Sequence, residues 1–230
     1  MTTAFGGFPS SSLEFLHELE TNNTREWFLQ NKPRYESEIL TPALDFIEAM
    51  SKPLADFAPA FLANPRRSGG SLMRVYRDTR FARDKRPYKT NVGIQFRHHL
   101  GKDVHAPGYY VHVDTRDVFV GAGAWRPPAD ALKTIRAAID EHPRRWLTAR
   151  DEPDFASRFV LSGESLVRPP RGYDGEHPLI DDLKRKSFIA LHYMDHSAIQ
   201  DGKFVDAVAR AFRSATPFMR FLCAAVRVPF

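Results

Sequence analysis

The sequence predicts an α+β fold, a helical N-terminal part followed by a largely antiparallel sheet with packed helices, on three observations. The first 64 residues are patterned as helices. Residues 65–124 then alternate as strands of a meander, and the remainder mixes helices with further strand. Elements segregated in this way, instead of β alternating with α, give an antiparallel sheet with helices packed on it. The 230 residues are 43% hydrophobic and 12% aromatic, ample for one packed core. One domain over 1–230 is therefore expected, with a helical part (1–64) and a sheet-containing part (65–230).

Taken in order, "FPSSSLEFLHELETNN" reads as a helix. Ser11 and Glu14 have capping-box spacing, Phe8 is placed to staple the entry, and Leu13, Phe15, Leu16 and Leu19 share a face. Asn22 and Asn23 stop it, and Thr24 caps a second short helix, "REWFLQNK". Pro33 and Pro42 suit the first turns of two more helical pieces. A glycine pair then introduces "GGSLMRVYR", and "NVGIQFRH", "GYYVHVDT" and "DVFVGAGA" follow, rich in Val, Ile, Phe and Tyr. "HLGKD" and "TRD" are short enough to be hairpin connections, which makes the sheet antiparallel. "RPPADALKTIRAAIDEH" is an amphipathic helix with prolines near its start, and "PRRWLTARDEP" suggests another. A loop-rich stretch precedes the short helix "LIDDLKRK", the strand "SFIALHYM" and one closing helix, "DGKFVDAVARAFRSATPFMRFLCAAV". There is no internal repeat or low-complexity tract.

Charge is distributed unevenly. The chain holds 33 basic and 28 acidic residues, net +5. Residues 74–89, "RVYRDTRFARDKRPYK", hold seven basic residues against Asp78 and Asp84, which is also +5; the rest of the chain is neutral. A general polyelectrolyte binder would spread its charge over a wider face. No apolar run is long enough to span a membrane and the N-terminus lacks a secretory pattern, so a cytoplasmic protein with no membrane partner is expected. Cys223, the single cysteine, sits in an apolar stretch and reads as a buried small hydrophobe.

Two geometries compete for the basic segment. A helix would line up Arg74, Arg77, Phe81, Asp84 and Tyr88, but Pro87 opposes a helix reaching Tyr88. A strand ending near Asp78, followed by a long charged loop, is the expected form. Long loops in compact proteins often carry function. Arginine forks match phosphate and carboxylate. Arg74, Arg77, Arg80, Lys85 and Lys89 are accordingly the candidate anion-binding set, with Asp78 orienting arginines and Tyr88 lining the site. Should chemistry follow, phosphoryl or phosphate-ester chemistry with Asp78 or Asp84 as base or metal ligand is the first expectation. Two alternatives stay open: nucleic-acid binding with Phe81 or Tyr88 stacking on bases, and an Arg/Asp network that only stabilises the fold. Surface ion pairs stabilise little, which is a poor reason for so many arginines in one place.

At this segment the sequence resembles domain-of-unknown-function family 2461, mostly bacterial proteins of about this length. "FLHELETNNTREWF", "YYVHVDTRDVFVGAGAWRPP" and "RPPRGYDGEHPLIDDLKRKSF" are similar to further blocks of that family, in the same order. The resemblance implies one intact family member and brings no activity with it.

Other polar clusters are weaker. "GAGAW" lets something approach the backbone at Gly121 and Gly123, before a helix whose prolines remove amide donors; tight packing under Trp125 is the simpler reading. Nine histidines include His98, His99 and His105 around a hairpin, His112 on a strand, and His192 and His196 four apart, but Tyr193 stands where a zincin motif needs Glu. No metal and no cofactor are expected. "RPPRGYDGEHP" carries Arg168, Arg171, Tyr173, Asp174, Glu176 and His177. Such a loop could close over the basic segment and contribute His177 as an acid–base group.

Overall fold

The computed structural model describes residues 5–101 and 107–230. The tip of the "HLGKD" connection and His105 lie outside the described residues. The N-terminal part comprises α1 (Ser11–Thr21), α2 (Arg25–Gln30), α3 (Lys32–Arg34), a π-helical turn (Tyr35–Leu40) and α4 (Thr41–Phe57). The strands are β1 (Phe61–Leu62), β2 (Val92–His98), β3 (Gly108–Val113) and β4 (Val118–Ala124). Then come α5 (Ala129–Glu141), α6 (Pro143–Arg150), α7 (Pro153–Arg158), β5 (Val160–Ser162), α8 (Ile180–Leu183), β6 (Phe188–Met194), a 3-10 turn (His196–Gln200), α9 (Phe204–Ser214) and α10 (Thr216–Ala225). The fold is α+β. Its six strands lie in the order β1-β2-β3-β4-β6-β5, and every neighbouring pair is antiparallel.

Local expectations failed in two places, each for a stated reason. The Ser11–Glu14 capping box does not form: α1 begins at Ser11, and its cap, Ser10, makes no side-chain bond. Ser12 reaches across instead, its hydroxyl donating to the Glu38 carbonyl at 2.5 Å. That carbonyl would ordinarily accept from residue 42, a proline with no N–H. Pro42 sits in the first turn of α4, as expected, with a π-turn running directly into that helix. The closing helix is two helices, broken at Ala215, because Pro217 removes the donor that the Arg213 carbonyl would have used.

One face of the sheet is covered. Val92, Ile94, Phe96, Tyr109, Val111, Val113, Val118 and Val120 are buried against α4, α9 and α10. Phe212 of α9 sits 4.6 Å from Tyr109 and 6.0 Å from Phe96, ring centre to ring centre. Trp146 of α6 meets Phe188 of β6 edge-on and Phe218 of α10. Cys223 is buried there, and burial pushes its thiol up to about 12. The other face carries Gly93, Gln95, Tyr110, His112, Phe119, Gly121, Gly123, Ile189, Leu191 and Tyr193, by strand alternation and register. None of the helix contacts just described falls on it. No helix among the described residues is long and apolar enough to cross a membrane.

Candidate functional site

The basic segment is an irregular two-armed projection from the edge of β2. Leu72 bridges Ile94 and Tyr76 bridges Tyr88, and the Arg77 and Lys89 amides bond the Pro87 and Val75 carbonyls at 2.8 and 2.7 Å. The strand expected from "SLMRVY" is thus reduced to isolated bridges, and the long loop begins near Asp78 as expected. A side-chain clamp holds the projection. Asn23 donates to the Tyr88 carbonyl and accepts from the Tyr88 amide, both at 3.0 Å, as a neighbouring strand would. The Tyr88 ring is buried and stacked 4.0 Å from Phe28. Tyr88 therefore anchors the segment, with its ring in the core and not on a cleft.

The two acids take up much of the charge. Asp78 binds Arg80 at 2.7 Å; Asp84 binds Arg77 at 2.8 Å and Arg86 at 2.7 Å. Hydrogen bonds from Arg80 hold Asp78 down to about 2, and those from Arg86 and then Arg77 also hold Asp84 below the usual carboxylate range. Carboxylates so acidic are weak bases at neutral pH; Asp78 accepts from Arg80 Nε and Nη2. Lys85 donates to the Thr79 carbonyl at 3.0 Å. Among the described residues Arg74 and Lys89 form no ion pair. Lys89 is half-buried, and desolvation, then the nearby Arg74 charge, lowers its pKa. Phe81 is 95% exposed, with Arg80 over its ring.

His177 lies elsewhere. Its Nε2 meets Asp140 of α5 at 3.1 Å and its Nδ1 accepts from the Leu179 amide. Among the described residues these bonds join His177 to α5 and its own loop, and none joins it to the basic segment, which springs from β2. His98, His99, His192 and His196 each bond a backbone carbonyl, and among the described residues no three His, Cys, Asp or Glu side chains converge.

What the sequence reading missed is a groove on the open sheet face, about 430 Å³, adjoining the base of the projection through Met73. Gly108, Gly121 and Gly123 are among its lining residues. Gly123, at φ +128°, lies against the Phe188 carbonyl of β6 with no room for a side chain, and next to the groove a Cβ on Gly93 would meet the Tyr110 hydroxyl at 2.8 Å. Gly121 leaves the floor bare beside Leu191. Phe119 and Trp125 wall it. The chain turns after Trp125 through a positive φ at Arg126, whose amide N–H donates to the Ser187 hydroxyl and whose guanidinium pairs with Glu164. At one end stands a polar row. The Tyr110 hydroxyl lies 3.2 Å from His112 Nδ1, and His112 Nε2 lies 2.9 Å from Asp114. Burial pushes Tyr110 up to about 12, offset in part by a hydrogen bond with Asn91. Burial also raises Asp114, but bonds from His112, Asp117 and Arg116 outweigh it and leave its carboxyl low. The signal was available: Tyr110, His112 and Asp114 recur every second residue opposite Tyr109, Val111 and Val113, so they share one strand face.

Fold and site together define an α+β protein whose half-covered antiparallel sheet carries a cationic projection beside an apolar groove. The chain belongs to the family described as "Conserved hypothetical protein (DUF2461)", whose model matches residues 11–221. Neither a curated protein nor a solved structure matches it.

Proposed function

We propose that the protein recognises the phosphate or carboxylate of a small ligand through the base of the basic projection, with Lys89 and Arg74 as the primary contacts and Arg77, Arg80 and Lys85 around them. The observation that carries this reading is Lys89, a half-buried cation beside a second cation with no carboxylate paired to it among the described residues. Holding like charges together while removing one from water is unfavourable, and an anion relieves both costs. Arg77 and Arg80 are already engaged by Asp84 and Asp78, so they shape the site more than they bind. The lone buried cysteine fits a reducing, cytosolic setting.

The test is calorimetric titration with inorganic phosphate and citrate at low ionic strength. Lys89→Met and Arg74→Ala each weaken binding by roughly tenfold or more, the loss of one charge-assisted contact. Arg80→Ala changes it little. Binding also fades at alkaline pH, below the ordinary lysine value, as Lys89 loses its proton. Absence of binding, or an unaltered Lys89→Met variant, refutes the proposal. Exposed Phe81, flanked by Arg80 and Arg83, favours a second reading, contact with single-stranded nucleic acid. That reading requires steeply salt-dependent binding of an oligo-dT strand, lost on Phe81→Ala.

A further inference from the structure

We propose that the open-face groove binds a planar, apolar small molecule and that Tyr110 exchanges a proton with it, driven by His112 and Asp114. The proposal is independent of anion binding, since it uses neither Arg74 nor Lys89.

The hollow is built for a flat body. Gly108, Gly121 and Gly123 line it, a Cβ on Gly121 would reach Leu191 and Tyr110, and its walls are Phe119, Trp125 and Leu191. Apolar lining with a few convergent polar groups is the usual make-up of a small-molecule site. The polar groups here are ordered as acid, imidazole and hydroxyl. Asp114 accepts from His112 Nε2–H, which leaves the Nδ1 lone pair facing the Tyr110 hydroxyl. Phe119 stacks on the imidazole at 4.5 Å and 8°, which fixes its plane. Backbone also holds Asp114, whose carboxylate accepts from the Arg116 and Asp117 amides and whose carbonyl meets His196 Nε2. A nucleophile or base, a second group that takes its proton, and a third that orients the second is the arrangement acid–base catalysis requires. In the step, the Tyr110 oxygen takes a proton from the bound molecule as its own proton passes to His112 Nδ1. Asp114 stabilises the imidazolium, and the reverse transfer restores the row with nothing oxidised or reduced. Tyr110 is the catalytic residue; His112 and Asp114 act through it.

Naphthalene-1-sulfonyl fluoride tests both halves. Its ring suits the groove, and its sulfur forms an S–O bond with an activated phenol, releasing fluoride while His112 takes the proton. Peptide mass spectrometry gives the rate at each tyrosine. Tyr110 is expected to react roughly tenfold faster than Tyr76 and Tyr193, which are more exposed but have no such base. His112→Phe brings Tyr110 down to their rate. Gly121→Leu, which fills the floor, slows it by a similar factor without altering Tyr76. Arg74→Ala leaves Tyr110 unaffected. Tyr110 reacting no faster than Tyr76, or unaffected by Gly121→Leu, overturns the groove assignment. An unchanged rate in a folded His112→Phe variant overturns the relay. Should His112→Phe not fold, Asp114→Asn decides the relay by the same rate.

Discussion

Replacing Asn23 by alanine should release the basic projection from the body of the protein. Asn23 is buried and makes two hydrogen bonds to one backbone residue, Tyr88, both at 3.0 Å and across 65 positions of chain. Removing them leaves the Tyr88 N–H and C=O unpaired in a buried place. With about 1–3 kcal/mol for each of the two orphaned groups, the combined loss is about 2–6 kcal/mol. A chain of this size loses about 2–4 °C per kcal/mol, so the melting temperature falls by about 4–24 °C. The assay is thermal unfolding together with amide exchange at Arg77 and Lys89, whose bonds close the projection's base. Both amides should exchange faster in the variant than the β3 amides do. Asn23→Asp separates hydrogen bonding from volume. It is nearly isosteric, but it cannot donate, and it sets an oxygen against the Tyr88 carbonyl. If Asn23→Asp stays within about 0.5 kcal/mol of the native protein, with unchanged exchange at Lys89, the clamp does not hold the projection.

Three further outcomes follow from packing and charge. Asp182 is buried, accepting from Trp146 Nε1 at 2.9 Å and Arg150 at 2.6 Å, so Asp182→Ala should cost about 1–3 kcal/mol in denaturant unfolding by leaving the indole N–H unpaired, while Arg150 keeps Asp151. Gly123→Ala, which combines a left-handed φ with a collision at the Phe188 carbonyl, should destabilise by about 2 kcal/mol or more, whereas Gly69→Ala, with open space around it, should cost less. Glu18, Asp78, Asp114 and Asp151 all titrate below their ordinary values in the folded state, so the unfolded chain binds protons first as pH falls. Stability from these groups is fully present above about pH 5 and is lost toward about pH 2, a decline that melts in a pH series will record. His98, whose pKa is lowered by burial, adds loss in the same direction below about pH 6.5, where the unfolded chain protonates it first.

Much of the fold was legible in the sequence. Val-, Ile- and Tyr-rich alternation located β2, β3, β4 and β6, and apolar spacing located α1, α4 and α5, because each element displays its own period. Thr24 was recognisable as a cap, and its hydroxyl does accept from the Trp27 amide at 3.2 Å. The basic segment stood out by composition alone. Its internal pairing was partly readable too, since Asp78 and Asp84 each bind arginines only a few residues away. The clamp was not: Asn23 looked like one more helix stop, because nothing local marks a side chain whose partner is 65 residues on. His177 looked available to the basic segment for the converse reason, since loop composition does not say where a loop lies.

The sequence by itself determined the elements, the face on which each side chain stands and the concentration of positive charge in one segment. Those depend on periods of two and 3.6 residues and on near neighbours. Tertiary structure decided which sheet face the helices cover, that Gly93 makes room for the Tyr110 hydroxyl, and that Lys89 is left without a carboxylate among the described residues. These depend on strand register and on packing between distant elements, where a displacement of one residue would turn Tyr110, His112 and Asp114 into the core.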